Sequence, residues 1–471
     1  MEYGSPAGGR AGVSFQPFSE HPGERKEGPM RWFILVLAVL ALMPVSTSRA
    51  LVYERIADIN PGFGSGGGGD LTVYDGELYF IANNVAHGSN NELWKYDGSN
   101  VTLAAEIKPG NDGSGINSLC VYDGSLYFSA RDDDSTLELW SYNATSETAA
   151  EVPDNNPAWN PQTHGELIAC GGSLFFRATD FSTVGTELGR YDGTTQHVVD
   201  IASGTGTSYP QGFIIYNGLL HFLANGADGA GSELYKYDGG ATRLTDIYPG
   251  PDAGDTRNMA VYDGDIYCSA KDGVHGNELW RYDPVGGAEL VVDIVPGGIY
   301  DSGNPSHMTP YNGKLYFTAD DEQGAGNELW RYDVATDTAE LFWNINQNLP
   351  PTGGEDPEHH SWASDFFEYA GLLYFAADDG VHGRELWATD GDTAWLVLDI
   401  MPGEYGSGVG GFCVWNGDLY FAANDGQTGS EVGYITGDYD ETTAIFRIPE
   451  PATLVLLAAG TVLMRMRRRR R

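Results

Sequence analysis

Short apolar runs separated by Gly- and Asp-rich turns fill most of the chain. In one segment, apolar runs at 259–262 and 265–270 flank Asp263-Gly264. Asp-Gly pairs favour the positive φ angles of a two-residue hairpin turn, so the two runs are predicted to be paired β-strands. Two more strands are predicted at 278–282 and 289–294. Apolar residues show no helical periodicity anywhere in 51–448, which predicts an all-β fold for this region.

This four-strand unit is repeated, and Glu-Leu-Trp marks the start of its third strand. Eight copies occur at intervals of 45 to 57 residues. Four strands per unit at this period are typical of a β-propeller, in which each unit forms one blade. The Glu and Trp of the complete copies are Glu92 and Trp94, Glu138 and Trp140, Glu278 and Trp280, Glu328 and Trp330, and Glu385 and Trp387, and degenerate copies begin at Glu187, Glu233 and Glu431.

The ends of the repeat region predict how the ring closes. The segment 52–59 matches a fourth strand without the three that should precede it, whereas the last unit, 412–434, matches the first three strands only. Pairing the N-terminal strand with the last unit would complete eight blades and cover the open edges. We therefore predict an eight-bladed propeller closed by the N-terminal strand. Seven blades with one disordered repeat is the alternative.

The repeat resembles the ELWxxDGT family of secreted bacterial proteins. Asp97-Gly98-Ser99 and Asp192-Gly193-Thr194 match the second half of that motif, and the resemblance covers nearly all of 51–436. Several copies depart from it, with Gly189 or Tyr235 in place of Trp. The resemblance implies the fold and a surface location, and it brings no established activity.

Residues 1–50 are predicted to be an N-terminal extension and signal peptide. Basic residues precede an apolar run at 32–43, and Ser48-Arg49-Ala50 places small residues at the −3 and −1 positions of a cleavage site between Ala50 and Leu51. The true start is then expected at Met30. An uncleaved anchor is the alternative, although the run is shorter than the ~20 residues that span a bilayer.

Residues 449–471 form the second terminal signal. Pro449-Glu450-Pro451 is followed by the apolar segment 452–464, which is predicted to be a short transmembrane helix. A basic cluster then keeps the C-terminus cytoplasmic. This order resembles the PEP-CTERM sorting signal of Gram-negative bacteria. The resemblance implies processing by an exosortase, a transient membrane anchor, delivery to the cell surface or medium, and an association with exopolysaccharide; a plain tail anchor is the alternative. The cluster ends with Arg467, Arg468, Arg469, Arg470 and Arg471.

The propeller region, 51–448, is strongly acidic. The chain has 26 Lys and Arg against 66 Asp and Glu, for a formal net charge of −40. Nucleic-acid phosphates are bound mainly through Lys and Arg, so this charge excludes nucleic-acid binding.

Acidic, Gly-rich loops between the second and third strands are candidate calcium sites, because carboxylate and carbonyl oxygens are the ligands that Ca²⁺ prefers. Solvated acidic turns are the alternative. An insertion holding the adjacent His359 and His360 is a candidate site for another divalent ion, against a merely polar loop. The repeated Glu is expected to accept backbone N–H bonds, with calcium in every blade as the alternative. The candidate calcium ligands are Asp272, Asp320, Asp378, Asp379 and Asp425.

Sequence motifs of the common catalytic sites are missing from the chain, and only the insertion at 355–360 breaks the uniformity of the repeat. We therefore expect a protein that is not an enzyme. The four cysteines are expected to be free thiols, with disulfides in a secreted chain as the alternative. The expected role is that of a secreted or surface-bound binding, adhesion or matrix protein associated with exopolysaccharide. The alternatives are a secreted polysaccharide lyase or hydrolase and a structural, calcium-stabilised coat protein.

Overall fold

The computed structural model describes residues 51–436, except 62–65, 85–89, 111–112, 133–135, 154–161, 181–183, 228, 230, 251–254, 323–324 and 348–359. In this part of the chain, eight four-stranded antiparallel sheets form the eight blades of a β-propeller. The prediction of eight blades is confirmed, and the seven-blade alternative is wrong. The predicted signal segment with Ala50, the predicted C-terminal helix and sorting signal, and His359 lie outside the described residues.

Blades 1 to 7 each consist of four strands consecutive in sequence. The strands of the first four blades are β2 Gly67–Tyr74, β3 Glu77–Asn84, β4 Asn90–Tyr96, β5 Val101–Ala105 in blade 1; β6 Asn117–Tyr122, β7 Ser125–Ala130, β8 Glu138–Asn143, β9 Thr148–Glu151 in blade 2; β10 Gln162–Cys170, β11 Ser173–Asp180, β12 Gly185–Tyr191, β13 Gln196–Val199 in blade 3; and β14 Gln211–Tyr216, β15 Leu219–Asn225, β16 Ser232–Tyr237, β17 Ala241–Arg243 in blade 4.

Blade 8 differs because its fourth strand comes from the other end of the chain. The remaining strands are β18 Arg257–Tyr262, β19 Asp265–Ala270, β20 Glu278–Asp283, β21 Gly287–Val292 in blade 5; β22 Ser306–Tyr311, β23 Lys314–Ala319, β24 Glu328–Asp333, β25 Thr338–Trp343 in blade 6; β26 Ser364–Tyr369, β27 Leu372–Asp378, β28 Arg384–Thr389, β29 Ala394–Leu398 in blade 7; and β30 Gly410–Trp415, β31 Asp418–Asn424, β32 Ser430–Thr436 with β1 Val52–Arg55 in blade 8.

The first strands of the blades surround the axis of the ring. Each contacts the first strand of the next blade, and β30 of blade 8 contacts β2 of blade 1, so the circle is complete. Because strands alternate in direction, the turns after first and third strands lie on one face, which we call the turn face. The loops after second and fourth strands lie on the opposite face, which we call the loop face. No helix long and apolar enough to cross a bilayer occurs among the described residues.

Blade-to-blade packing explains why the second strands are apolar on both sides. In β3, Leu78, Tyr79, Phe80 and Ala82 are fully buried, because both faces of a blade are covered by its neighbours. One apolar cluster, which contains Tyr267, joins blades 5 and 6. Similar apolar clusters join the other neighbouring blades of the ring. The cores therefore lie between blades.

The N-terminal strand closes the ring. It pairs antiparallel with β32, in a register that sets Val52 opposite Thr436 and Arg55 opposite Gly433. Arg55 also forms an ion pair with Asp425 of blade 8, at 3.0 Å. The observed strand is shorter than the predicted 52–59, but it completes the last blade as predicted.

The turns after the first strands are two-residue hairpins with positive φ at both positions, as in Asp75 (49°) and Gly76 (82°). This confirms the prediction made for Asp263-Gly264, which has the same geometry.

A hydrogen bond from the last residue of a first strand links each blade to the next; we call this contact the clasp. In seven blades the donor is a Tyr O–H or Trp N–H, and the acceptor is the turn Gly carbonyl of the following blade. The clasp pairs are Tyr74 and Gly124 (2.9 Å), Tyr122 and Gly172 (2.9 Å), Tyr216 and Gly264 (2.6 Å), Tyr262 and Gly313 (2.9 Å), Tyr311 and Gly371 (2.8 Å), Tyr369 and Gly417 (2.5 Å), and Trp415 and Gly76 (3.0 Å).

Candidate functional site

The repeated Glu side chains hold the loops that carry the candidate site. Glu385 is fully buried and accepts hydrogen bonds from Ile400 N (2.9 Å), Ser407 N (2.8 Å) and Ser407 Oγ (2.7 Å). Glu187 holds the 200–208 loop in the same way and accepts a hydrogen bond from Ile201 N at 2.8 Å. These bonds fasten the fourth-to-first loops on the loop face. Hydrogen bonds to an ionised carboxylate are stronger than those between neutral groups.

All eight repeated glutamates are buried: Glu92, Glu138, Glu187, Glu233, Glu278, Glu328, Glu385 and Glu431. Desolvation raises the pKa of Glu278, Glu328 and Glu431 to about 7, although backbone N–H groups donate to each of them and oppose the shift. The Trp residues of the Glu-Leu-Trp triplets lie opposite residues of the second strand. In blade 1, for example, Trp94 of β4 is paired in register with Phe80 of β3.

Exposed aromatic rings gather on the loops that these glutamates hold. Among the described residues, the large aromatic side chains with the most exposed surface are Tyr209 (55%), Tyr300 (93%), Trp362 (57%) and Tyr405 (90%). All four lie on fourth-to-first loops, and therefore on the loop face. These loops run from the outermost strand of one blade to the innermost strand of the next. Tyr209 and Trp362 stand two residues before β14 and β26, at the axial end of their loops, whereas the segment 404–406 lies beside Gly383 of a second-to-third loop.

Tyr209 and Trp362 occupy equivalent positions, seven residues before the clasp residue of their blades. Both have positive φ, at 47°. The same position in other blades is taken by residues that tolerate positive φ at lower cost, including Gly115, Asp255 and Asn304. Bulky side chains in this backbone region are strained, and strain of this kind concentrates at functional sites.

A ring of unlike residues, polar in six blades and Gly in two, lies four positions before the clasp residue, where each first strand has a bulge or an irregular register. We call it the polar ring. Three of these side chains bind the next blade: Asp70 accepts from Ser118 N (2.7 Å), Ser118 Oγ from Leu167 N (2.8 Å), and Glu166 from Phe213 N (3.1 Å). The set comprises Asp70, Ser118, Glu166, Gly212, Asn258, His307, Asp365 and Gly411.

The polar ring is open on the side of blades 5 to 7. Asn258 and His307 are exposed there, and Asp365 forms an ion pair with Arg384 at 3.1 Å. Desolvation of its ring lowers the pKa of His307; Asp365 opposes this shift and Arg384 adds to it. The site thus offers hydrogen-bond donors and acceptors on the same face as the exposed aromatic rings. This ring was not predicted from the sequence. Its signal is a position whose residue type differs from blade to blade when the eight first strands are aligned.

The five aspartates predicted as calcium ligands are spread over four blades, with Asp378 and Asp379 adjacent in blade 7, and they accept hydrogen bonds from their own loop backbone. Asp379 accepts from Val381 N and His382 N, both at 2.9 Å, and its second oxygen lies 2.8 Å from His382 Nδ1. Asp272 binds Val274, His275 and the His275 ring in the same way. Burial opposes ionisation of Asp379, but these bonds outweigh it and lower its pKa.

The other candidate ligands also have local partners. Asp320 accepts from Glu322 N (2.8 Å), Asp378 from Gly380 N (2.7 Å), and Asp425 from Gln427 N (2.9 Å). His360 Nδ1 accepts from Asn327 N at 2.6 Å, and its ring lies 4.5 Å from that of Trp362. No three His, Cys, Asp or Glu side chains converge as a metal site in the described part of the chain. Calcium binding stays a prediction. All four cysteines are free.

Neither a family model nor a curated protein matches the chain. Solved propeller structures do resemble it. A puromycin hydrolase is 13% identical over 77% of this chain and 58% of its own, with a TM-score of 0.45. The puromycin-hydrolyzing peptidase of Mycobacterium tuberculosis is 9% identical over 80% and 62%, at 0.46. The β-propeller domain of the trilobed protease of Pyrococcus furiosus is 12% identical over 70% and 98%, at 0.40.

These structures correct the prediction that the chain is not an enzyme. Propellers similar to this one occur in puromycin hydrolases and prolyl endopeptidases, so the exclusion is withdrawn. Its premise also fails, because six of the eight blades carry unlike polar residues at one position of the first strand. The chain spans about three fifths of the length of the two hydrolases, and the likeness shows the propeller fold alone.

Proposed function

We propose that this protein is a cell-surface propeller that binds an uncharged polysaccharide of the extracellular matrix on its loop face. The observation that carries the proposal is the gathering of Tyr209, Tyr300, Trp362 and Tyr405, all exposed, on the loop face. Aromatic rings stack on the C–H faces of sugar rings, because the negative face of the π system attracts polarised C–H groups.

The polar ring supplies the second element of such a site. Sugars need hydrogen-bond donors and acceptors beside the stacking rings, and Asn258 and His307 lie on exposed, inner-strand positions that can provide both. A few polar groups that fix orientation next to apolar contact surface are the usual composition of a ligand site.

Charge selects the class of polysaccharide. A formal net charge of −40 repels anionic polymers such as uronic-acid chains. The ligand is therefore a neutral polysaccharide, recognised through shape and hydroxyl groups rather than through ion pairs.

The terminal segments support the location. In this proposal the N-terminal signal exports the chain, and an exosortase processes the segment that begins at Pro449-Glu450-Pro451, which places the propeller next to the exopolysaccharide. The PEP-CTERM and ELWxxDGT resemblances both point to that surface.

The proposal is tested with full-length protein and a double variant, Tyr209→Ala with Trp362→Ala. Binding to the neutral polysaccharide fraction of the host's matrix should weaken by about tenfold or more. Val285→Ala is the matched control, because Val285 is 95% exposed on a third-to-fourth turn of the opposite face. Circular dichroism verifies folding. Equal binding by the double variant and the wild type would refute the proposal.

A further inference from the structure

The ring of clasps is broken at one junction. Blade 3 ends its first strand with Cys170, where the other blades have Tyr or Trp. The Cys170 thiol reaches towards Gly218 O of blade 4 at 3.7 Å, which is a weak contact compared with the 2.5–3.0 Å bonds of the other seven clasps.

A cleft of about 520 Å³ occupies this junction. Its walls include the three groups that surround a clasp ring elsewhere. In blade 2, the Tyr122 ring lies 5.6 Å from Tyr127 of its own second strand and 6.3 Å from Tyr191 of the next blade, and its O–H reaches a turn glycine. The equivalents of these groups line the cleft: Phe175, Tyr237 and Gly218.

The cleft also holds a cationic side chain with spare hydrogen-bonding capacity. Arg190 is half-buried and donates from Nε to Ser173 Oγ at 2.9 Å. It forms no ion pair with the described residues, whereas its counterpart Arg331 in blade 6 is paired with Glu340 at 2.7 Å. Asp238, on the same wall, is compensated by Lys236 at 2.7 Å.

We propose that this cleft binds a small phenolic carboxylate. The aromatic ring takes the place of the missing clasp ring and packs against Phe175 and Tyr237, whose rings contact each other at 5.0 Å. Its hydroxyl donates to Gly218 O, and its carboxylate pairs with the Arg190 guanidinium. A preformed apolar slot with one charged and one polar contact fits a ligand of this size. The site lies on the turn face, so it is independent of the polysaccharide site.

The test uses full-length protein and four probes: 4-hydroxybenzoate, phenol, benzoate and cyclohexanecarboxylate. 4-Hydroxybenzoate should bind most tightly and raise the melting temperature in a saturable way. Cyclohexanecarboxylate, which has no aromatic ring, should bind most weakly. Bound ligand should also slow the alkylation of Cys170 by a maleimide, with Cys120 as the internal control in the same peptide mass spectrum. The absence of both a saturable shift and protection would overturn the proposal.

Two variants locate the site. Cys170→Tyr restores the ring found in other blades, so it should raise the melting temperature of the free protein and weaken 4-hydroxybenzoate binding by about tenfold or more. Arg190→Gln should reduce 4-hydroxybenzoate affinity to that of phenol. Equal binding by Cys170→Tyr and the wild type would place the ligand elsewhere and refute the site. If Cys170→Tyr does not fold, Cys170→Phe serves the same purpose.

Discussion

The Tyr53 ring of the N-terminal strand lies against Gly433 of blade 8, in the space that a Trp side chain would need. A Cβ atom at Gly433 would overlap the Tyr53 ring. The Tyr53 hydroxyl donates to Glu431 O at 2.7 Å. The departure of this repeat copy from Glu-Leu-Trp is therefore explained by ring closure, because an aromatic ring from the other end of the chain fills the place.

Tyr53 should consequently stabilise the closed ring. Tyr53→Ala removes both the ring packing and the hydrogen bond, so it should lower the free energy of unfolding by about 2 kcal/mol or more. Tyr53→Phe loses only the hydrogen bond and should lower it by about 1 kcal/mol. Thermal melting of the two variants measures the difference. If Tyr53→Ala melts like the wild type, the N-terminal strand does not stabilise blade 8.

Stability should increase as the pH falls from 8 to 5. The buried Glu278, Glu328 and Glu431 have pKa values of about 7 in the folded chain, above the ordinary value of 4.5. Below pH 4.5 they are protonated in both states. As the pH rises towards 7 the unfolded chain releases these protons first, so the free energy of unfolding declines through that window. The expected change in melting temperature at fixed ionic strength is about 5 °C or more.

Glu328→Gln separates this effect from general charge repulsion. It removes one buried titrating group and should flatten the dependence of melting temperature on pH. Glu404→Gln, at an exposed loop position, removes the same formal charge and should leave the slope unchanged. A melting temperature that climbs from pH 5 to 8 would contradict the assignment.

Replacing Tyr209 by Gly should stabilise the protein. The residue has a φ of 47°, which costs a bulky side chain about 1 kcal/mol and costs Gly almost nothing. Denaturant or thermal melting should show the gain, and Asn304→Gly, at the equivalent position of blade 6, should show a smaller one. A loss of stability in Tyr209→Gly would mean that its ring packs on the protein rather than standing ready for a ligand.

Mature protein from the native host should lack residues 1–50 and the C-terminal Arg cluster. Intact-mass spectrometry of surface-exposed protein tests both ends at once. Detection of Arg471 on that protein would contradict processing, and an N-terminus before Leu51 would contradict cleavage after Ala50.

Repetition made the fold predictable from the sequence. A turn ending in Gly and a triplet related to Glu-Leu-Trp occur at the same place in each unit, so each prediction was supported several times over, and the unpaired strand at 52–59 specified the closure. The candidate site was not predictable in this way. Tyr209 and Trp362 matter because of an exposure and a φ angle that single residues do not reveal, and Cys170 is notable only once its seven aromatic counterparts are known to be clasps.

Ring closure also brings the first and last described strands to the same face. The third strand of a blade runs from the loop face to the turn face, so the described chain leaves blade 8 at Thr436 on the turn face, beside Val52. The described ring therefore begins and ends on the face opposite the loops that carry Trp362 and Tyr405, and a tag joined next to either strand end would start away from those loops.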